Sequence, residues 1–385
     1  ELLEQEGHEV IKFCMQHPQN VPDKHEKFFV SYVGVEQKGL VNKLRYAERV
    51  LYSFEAKRKF RALLKETKPD IIHIHNIYHQ ISPSILPVAK EMNIPVVMHL
   101  HDYKLISPNY ILFNKKGIDI SSMRPKYYNV FFHKSLNNSY LQSFGAMIEM
   151  YFHHSILKIY EKNISLYLAP SLFLRDLMIK NGISASKIVH LPYFVKGIEN
   201  DRPDYNIGNH FLFYGRLAKE KGAHVLLKAL SSVSQARLKI IGNGEEKEQL
   251  KKMTHDLGLE DRVQFSPALY GEELKAEIKK ASAVITPSIW YEVFGLVNVE
   301  AASLGKLVIA SDIGGIKESV EAGKSAWLFP AGNPDALAEL LKRALENSNE
   351  INGFGEEGRE FILKNFTASI HWLKLKKIYE NVLDK

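Results

Sequence analysis

Two glutamates eight residues apart, Glu292 and Glu300, stand in YEVFGLVNVEAASLGK (291–306). There a strand-like run, AVITPSIW, gives way to a turn and then to a helical pattern with a C-cap glycine at Gly305. At 100° per residue the two carboxylates would lie about 80° apart on a continuous helix, so they share no face. Glu292 is expected to project from the turn and Glu300 from the second helical turn. Carboxylates repel phosphate and accept hydrogen bonds, so a ribose diol and a sugar ring are fitting partners. The first amides of the helix lack intrahelical partners and sit at its positive end, where an anionic diphosphate can bind, and Gly295 permits close approach. The plain alternative for Glu292 is an acidic helix start, worth only about 0.3–1 kcal/mol.

A second cluster lies in FLFYGRLAKEKG (211–222), where Arg216, Lys219 and Lys221 follow a buried-type strand and precede Gly222. Arginine recognises phosphate in a planar, bidentate way and lysine adds a mobile point charge, so the run reads as a phosphate clamp. A solvated basic loop is its alternative.

H-x-H occurs twice, as His73/His75 in IIHIHN and His99/His101 in HLHDY. On a strand i and i+2 share a face. Zinc sites usually add a carboxylate or thiolate and H-E-x-x-H is absent, so no metal is expected. Neutral histidines exchanging hydrogen bonds with a substrate hydroxyl are the better reading, with satisfied core histidines favoured for His73 and His99. SDIGGIKESV (311–320) places Gly314–Gly315 before a helix start, either to bring amides to a ligand or to make a tight turn.

The missing motifs narrow the chemistry. IIGNGEEKE supplies Gly242 and Gly244 but Lys247 where a dinucleotide fingerprint needs its third glycine, so a dehydrogenase is disfavoured. Neither GxxxxGK[ST] nor a D-x-D metal clamp is present.

These residues need elements to hold them. From 208 onward, six strand-like runs alternate with helical ones, the pattern of a parallel doubly wound sheet, with a short helix near Ile316–Ala322. The first half repeats the alternation with HEVIKFC, DIIHIHN, PVVMHLH, SLYLAPS and KIVHLPYF as strands and RYAERVLYSFEAKRKFRALLKE as a helical run. Expected units are therefore 1–195, a Gly/Asp/Asn/Pro-rich linker 196–207, a second α/β unit 208–366, and a last helix, 367–385. That helix, with Trp372, Leu373, Leu375 and Ile378 on one stripe, is left to pack on either unit, a return to the first among the expectations. Two such sheets imply ligand binding in a cleft beyond the strands' carboxyl ends.

The 385 residues suit two domains. The single cysteine, Cys14, leaves neither a disulfide framework nor a thiolate metal site within the chain, and makes cytoplasm the default compartment. A formal charge of +7 favours anionic partners. No stretch approaches the roughly 20 apolar residues of a membrane span, so the expected protein is soluble or peripheral, at most at the inner face of the cell membrane. RPKYYNVFFHK (124–134) mixes aromatics with cations, either as a helical cap over the core or as a patch for the membrane interface. No recognisable nucleic-acid module occurs, and no nucleic-acid partner is expected.

The second half resembles the donor domain of retaining GT-B glycosyltransferases of family 4, on GRLAKEKG, the E-x7-E element from Glu292 to Glu300, FGLVNVEA and SDIGGIKE. HIHNIYHQISPSIL and MHLHDYKLISPNY extend the resemblance over nearly the whole chain, toward a bacterial polysaccharide-assembly subset. It implies two Rossmann-like domains facing a central cleft. It implies sugar transfer from a nucleoside-diphosphate sugar to a glycan or lipid-linked acceptor, with no cofactor and no metal.

The resemblance gives Arg216 and Lys221 the donor diphosphate, Glu300 the ribose, Glu292 the sugar hydroxyls, and His101 a place near the transferring sugar. Gly215, Phe294, Gly295, Leu296 and Val297 match donor-binding backbone, and His75, Asn76 and Asp102 are acceptor-side candidates. His101, Arg216, Lys221 and Glu292 are the expected catalytic set. Against the family pattern the chain opens in what looks like the end of a helix, ELLEQEG, with a strand and glycine-rich loop expected upstream, and Ser107 stands where the subset often has cysteine. A nucleotide-sugar epimerase of similar build and an inactive nucleotide-sugar-binding remnant are the competing readings.

Overall fold

The computed structural model describes all residues except 34–39, 134, 135, 137, 138 and 385, and only the backbone of 40–45, 348 and 349. Lys134 of the aromatic–basic run therefore lies outside the described residues. In chain order the strands are Ile72–His75 (β1), Val96–His99 (β2), Phe113–Asn114 (β3), Gly117–Ile118 (β4), Leu166–Ala169 (β5), Ile188–His190 (β6), Phe211–Tyr214 (β7), Leu238–Ile241 (β8), Val263–Ser266 (β9), Ala283–Thr286 (β10), Leu307–Ser311 (β11) and Ala326–Phe329 (β12). One sheet is β1-β2-β5-β6 and the other β12-β11-β10-β7-β8-β9, parallel throughout; β3 and β4 form a small antiparallel hairpin.

Burial on both faces explains the near-continuous apolar strands. Every residue of β2, β7 and β11 is buried, as a parallel sheet covered by helices requires. In the second sheet the chain runs outward from β7 to β8 and β9, then returns across β7 to start β10. The β7/β10 boundary is thus the topological switch point, where the crossovers leave a crevice at the strand ends. Residues 215–222 leave β7 there and residues 287–300 leave β10, so topology alone brings the two candidate clusters together.

Several local expectations change. Residues 8–14 form no strand: Met15 makes a single parallel bridge to Val30. The apolar alternation serves packing instead, with Phe13 against Phe60 at 4.9 Å between ring centroids. The helical run at 45–66 is two helices, Leu40–Tyr52 and Phe54–Thr67, because Ser53 turns extended and its side chain accepts from the Ala56 amide. The short helix near 316–322 is a 3-10 turn, Ile316–Glu318.

An unexpected helix, Ser348–Asn365, carries Gly353, Gly355 and Gly358, which depress helix propensity. Tertiary contact overrides that cost. A Cβ on Gly355 would come within 2.2 Å of the Gly305 carbonyl oxygen, and one on Gly358 within 3.4 Å of the Ala302 side chain. Gly355 and Gly358 let this helix lie close against Leu296–Ser303, whereas a Cβ on Gly353 would meet nothing within 4 Å. The last helix, Ala368–Leu383, is capped by Thr367 and buries Trp372, Leu375 and Tyr379 against Val97 and Leu168 of the first sheet and Leu191 just beyond β6. Leu373 is exposed rather than on that stripe, and His371 is buried beside Trp372.

Candidate functional site

The loop after β7 begins at Gly215 (φ +139°) and is pressed from below by the loop after β8. A Cβ on Gly242 would sit 1.9 Å from the Gly215 carbonyl oxygen, and one on Gly244 2.2 Å from that of Leu217. These two glycines therefore serve loop-on-loop packing. Lys219–Lys221 forms a 3-10 turn closed by Gly222 (φ +73°), whose missing Cβ would lie 1.8 Å from the Pro287 carbonyl oxygen. The Ile289 amide donates to the Glu220 carbonyl (2.9 Å). The basic loop is thereby stitched to the segment leaving β10.

Across that seam Lys221 Nζ meets both oxygens of Glu292, at 2.8 and 3.1 Å. Glu292 Oε2 also accepts from Trp290 Nε1 (3.0 Å) and Ser288 Oγ (3.2 Å), and the ammonium lies 5.1 Å from the centre of the Trp290 ring. The residues assigned to opposite parts of a ligand are thus one partly buried ion pair. Arg216, more than half exposed, pairs with buried Glu220.

Gly295 (φ +105°) is the N-cap of Leu296–Ser303, with Ser319 Oγ 2.9 Å from where its Cβ would be. The left-handed backbone at this point carries the turn into the helix, whose first amides have no intrahelical partner. One turn on, Glu300 Oε2 accepts from the Tyr214 hydroxyl (3.0 Å), which also reaches the Val297 carbonyl (3.0 Å). Burial raises the Glu300 carboxyl above its usual range and the tyrosine bond opposes that. Tyr214 was missed at the sequence level, although it is the one hydroxyl-bearing residue of FLFY.

The turn 290–294 is clamped from both halves of the chain. Tyr103 Oη donates to the Tyr291 carbonyl (2.9 Å) and Ser171 Oγ to that of Val293 (2.7 Å). From the other side Gly315 donates its amide to the Glu292 carbonyl (2.7 Å), and a Cβ on Gly314 would meet that oxygen at 2.6 Å. The Gly314–Gly315 pair is therefore a support for the turn. Glu318, also missed, caps the helix Leu172–Lys180 by accepting from the Leu172 and Phe173 amides (2.6 and 2.7 Å), tying the halves together.

In the first half His101 Nδ1 lies 2.6 Å from Tyr193 Oη, and its Nε2 lies 2.7 Å from His75 Nδ1. Tyr193 donates to the Leu100 carbonyl (3.1 Å), so it accepts from His101 Nδ1–H. Nε2 of His101 is then an acceptor for His75 Nδ1–H, and both rings are neutral. Burial holds His101 down at about 4 and lowers His75 as well. The Tyr193 ring stands edge-on to Phe294 at 5.6 Å, which carries this chain to the Glu292 turn.

Asn76, exposed at the end of β1, adopts a left-handed backbone (φ +45°). Asp102 accepts from the Lys104 amide (2.8 Å) and is bonded by the Tyr78 hydroxyl, so its carboxylate organises the turn after β2. His73 and His99 are not satisfied core histidines: His73 Nδ1 meets Tyr379 Oη at 2.6 Å, but Nε2 of each is buried without a hydrogen-bond partner among the described residues.

Two parallel sheets, a switch-point crevice and a cation–carboxylate cluster beside a helix start define a glycosyltransferase of the GT-B type. The profile of Glycosyltransferase Family 4 matches residues 1–196, and that of glycosyl transferases group 1 matches 198–361. The chain belongs to glycosyltransferase family 4. It is 32% identical over 179 residues to an uncharacterized glycosyltransferase of Methanocaldococcus jannaschii, covering 44% of this chain and 43% of that one. It is 29% identical over 206 residues to a GDP-mannose-dependent alpha-(1-6)-phosphatidylinositol monomannoside mannosyltransferase of Mycobacterium tuberculosis, covering 47% and 52%. These matches span about half the length of either relative. Among solved structures, sucrose-phosphate synthase of Thermosynechococcus elongatus has a TM-score of 0.72 at 19% identity, covering 100% of this chain and 91% of that one. Anabaena HepE in complex with UDP and glucose has a TM-score of 0.63 at 18% identity, covering 91% and 86%. Both likenesses are of fold.

Proposed function

We propose that this chain transfers a sugar from a nucleoside-diphosphate sugar to a glycan or lipid-linked saccharide, with retention at the anomeric carbon and no metal at the diphosphate. The observation that carries the reading is the Lys221–Glu292 pair, held by Trp290 and Ser288 beside the Gly295 helix start at the switch point. Arg216, Lys221 and the amides of Leu296 and Val297 meet the diphosphate, Glu300 takes the ribose, and Glu292 accepts from sugar hydroxyls. HepE, with UDP and glucose bound, and the GDP-mannose-dependent relative support a nucleoside-diphosphate donor without choosing its base.

As the C1–O bond to phosphate breaks, negative charge grows on the leaving oxygen and fixed cations and amides are already aimed at it, commonly the largest catalytic contribution. The acceptor oxygen bonds to C1 on the same face and passes its proton to the departing phosphate. Glu292 is an unsuited nucleophile, because its oxygens are already engaged by three donors. His101, neutral and held by Tyr193, sits where it can trade a hydrogen bond with a sugar hydroxyl. An α-linked donor should give an α-linked product by proton NMR; a β-linked product excludes retention.

The acceptor side carries a patch suited to an anionic membrane surface. Tyr127 and Val130 enter the core, whereas Tyr128 and Phe132 are exposed, and the next helix, Tyr140–Met150, shows Tyr140, Leu141, Phe144 and Ile148 to solvent. No acidic residue occurs from Ile120 to Ile148, while Arg124, Lys126 and Lys134 do. Aromatics and cations together favour the headgroup region. Among the described residues no helix is long and apolar enough to cross a membrane. Sedimentation with vesicles containing anionic lipid should be strong and fall at least tenfold in a Phe132→Ser/Leu141→Ser/Phe144→Ser variant; equal binding would remove the patch from the account.

A further inference from the structure

The H-x-H of β1 and the start of H-x-H after β2 do more than supply His75 and His101. In the parallel register His75 lies directly opposite His99, and His73, two residues back on β1, shares their face. The rings lie face to face: His73 and His75 are 4.5 Å apart at 19°, His75 and His99 5.5 Å apart at 26°, and His73 and His99 5.9 Å apart at 8°. One ring nitrogen from each of the three lies within 4.8 Å of the others. Face-to-face imidazoles gain little from one another, and Nε2 of His73 and of His99 are buried with no hydrogen-bond partner among the described residues. Leaving two such groups desolvated is unfavourable, and a ligand for them would remove that cost.

The neighbouring bonds fix which nitrogen is free. Tyr379 occupies Nδ1 of His73, and the chain from the Leu100 carbonyl through Tyr193 and His101 places the proton of His75 on Nδ1. In His75 the opposite nitrogen, Nε2, therefore keeps its lone pair; in His73 Nε2 is the nitrogen left without a partner among the described residues, and it is a ligand in the tautomer whose Nδ1–H donates to Tyr379. A histidine that gives its other nitrogen to a fixed oxygen or ring is the arrangement that orients metal-bound imidazoles. His73 is partly buried, His99 buried and His75 exposed, so the trio opens to solvent at the His75 end.

We infer that His73, His75 and His99 form a binding site for one divalent transition ion of the zinc class, with three imidazole ligands and a fourth position open to water or to a substrate oxygen. Zinc takes three histidines and a solvent ligand in tetrahedral geometry, with Zn–N distances of about 2.0–2.1 Å. Three nitrogens bound tetrahedrally at that distance stand about 3.3 Å apart, so nitrogens already within 4.8 Å of one another have about 1.5 Å or less to close. The site is separate from the diphosphate, where Arg216, Lys221 and helix amides supply the positive charge. Bound through Nε2, a metal would leave the His75 Nδ1–H bond to His101 in place, so occupancy and the hydrogen-bond chain to Tyr193 support one another.

The test is titration of untagged, chelator-treated protein with Zn2+ by calorimetry and with Co2+ by visible absorption, which reports a tetrahedral site directly. One equivalent per chain is expected, with tetrahedral cobalt bands that Zn2+ displaces. His99→Ala and the solvent-edge variant His75→Ala should each weaken binding at least tenfold, whereas His255→Ala, on a surface helix, should not. His75 is exposed, so its variant reads ligation even if burial makes His99→Ala unstable. Absence of stoichiometric binding, or binding undiminished by both variants, overturns the site whether or not the chain transfers sugar.

Discussion

Lys221→Ala is expected to lower kcat for sugar transfer by about 10²–10³, the loss of roughly 2.7–4 kcal/mol found when one preorganised donor to a developing anion is removed. The size follows from what Lys221 does at the crevice. Its ammonium is fixed by Glu292 and the Trp290 face before any donor arrives, so little reorganisation is left for the moment when charge moves to the phosphate. The apparent KM for donor should change less than tenfold, because in the proposed site Arg216 and the helix amides would still meet the diphosphate. Arg216→Ala should show the opposite split: its side chain is more than half exposed and paired with Glu220, so it contributes chiefly to affinity. Steady-state rates over a range of donor concentrations separate the two. A Lys221→Ala enzyme retaining kcat within threefold of the parent would remove the lysine from the transition state.

Acid should destabilise the protein well before its carboxylates titrate. Burial lowers His73 to about 3 and lowers His99 as well, and the charges that act on them among the described residues, from one another and from His75, His101 and His371, are all of histidine. Unfolded, both would titrate near 6.5. A depressed folded value means the unfolded chain binds more protons below that point, so stability is full above about pH 6.5 and falls as pH drops toward 3. Each of the two rings contributes about 2 kcal/mol between pH 7 and 5, on the order of 4 kcal/mol together. That is a large part of the 5–15 kcal/mol typical of a folded domain. Glu55 and Glu149, held down at about 2 by their partners, begin to matter only below about pH 4.5. Urea midpoints measured with chelator from pH 7 to 5 should fall steadily for the parent and distinctly less for His73→Gln/His99→Gln, in which His101 and the other buried histidines still titrate. A flat parent curve would mean these rings are solvated.

What the sequence made legible was whatever depends on period and spacing. The six strands of the second sheet and the helix start at Gly295 follow from apolar runs punctuated by glycine, and topology then puts 215–222 beside 291–300. Illegible were the contacts that join distant segments. Nothing local says that Lys221 salt-bridges Glu292, that Tyr214 holds Glu300, or that Glu318 caps a helix 146 positions earlier. The helix 348–365 was hidden because its glycines argue against a helix, and only their packing on Gly305 and Ala302 reverses the argument. The strand expected at 8–14 failed for the complementary reason, since alternation records burial and a strand also requires a partner along its length. His73 and His99 looked like core histidines because spacing reveals a shared face but not whether a nitrogen finds a donor there.

The central claim is that the crevice at β7 and β10 binds a nucleoside diphosphate through Arg216, Lys221 and the Gly295 helix start. Thermal-shift titration of the parent and of Arg216→Ala with UDP, GDP and ADP tests it most directly. At least one nucleotide should raise the parent's midpoint in a saturable way, with a half-saturation concentration at least tenfold higher in Arg216→Ala. No stabilisation by any of the three, or stabilisation identical in parent and variant, would contradict it.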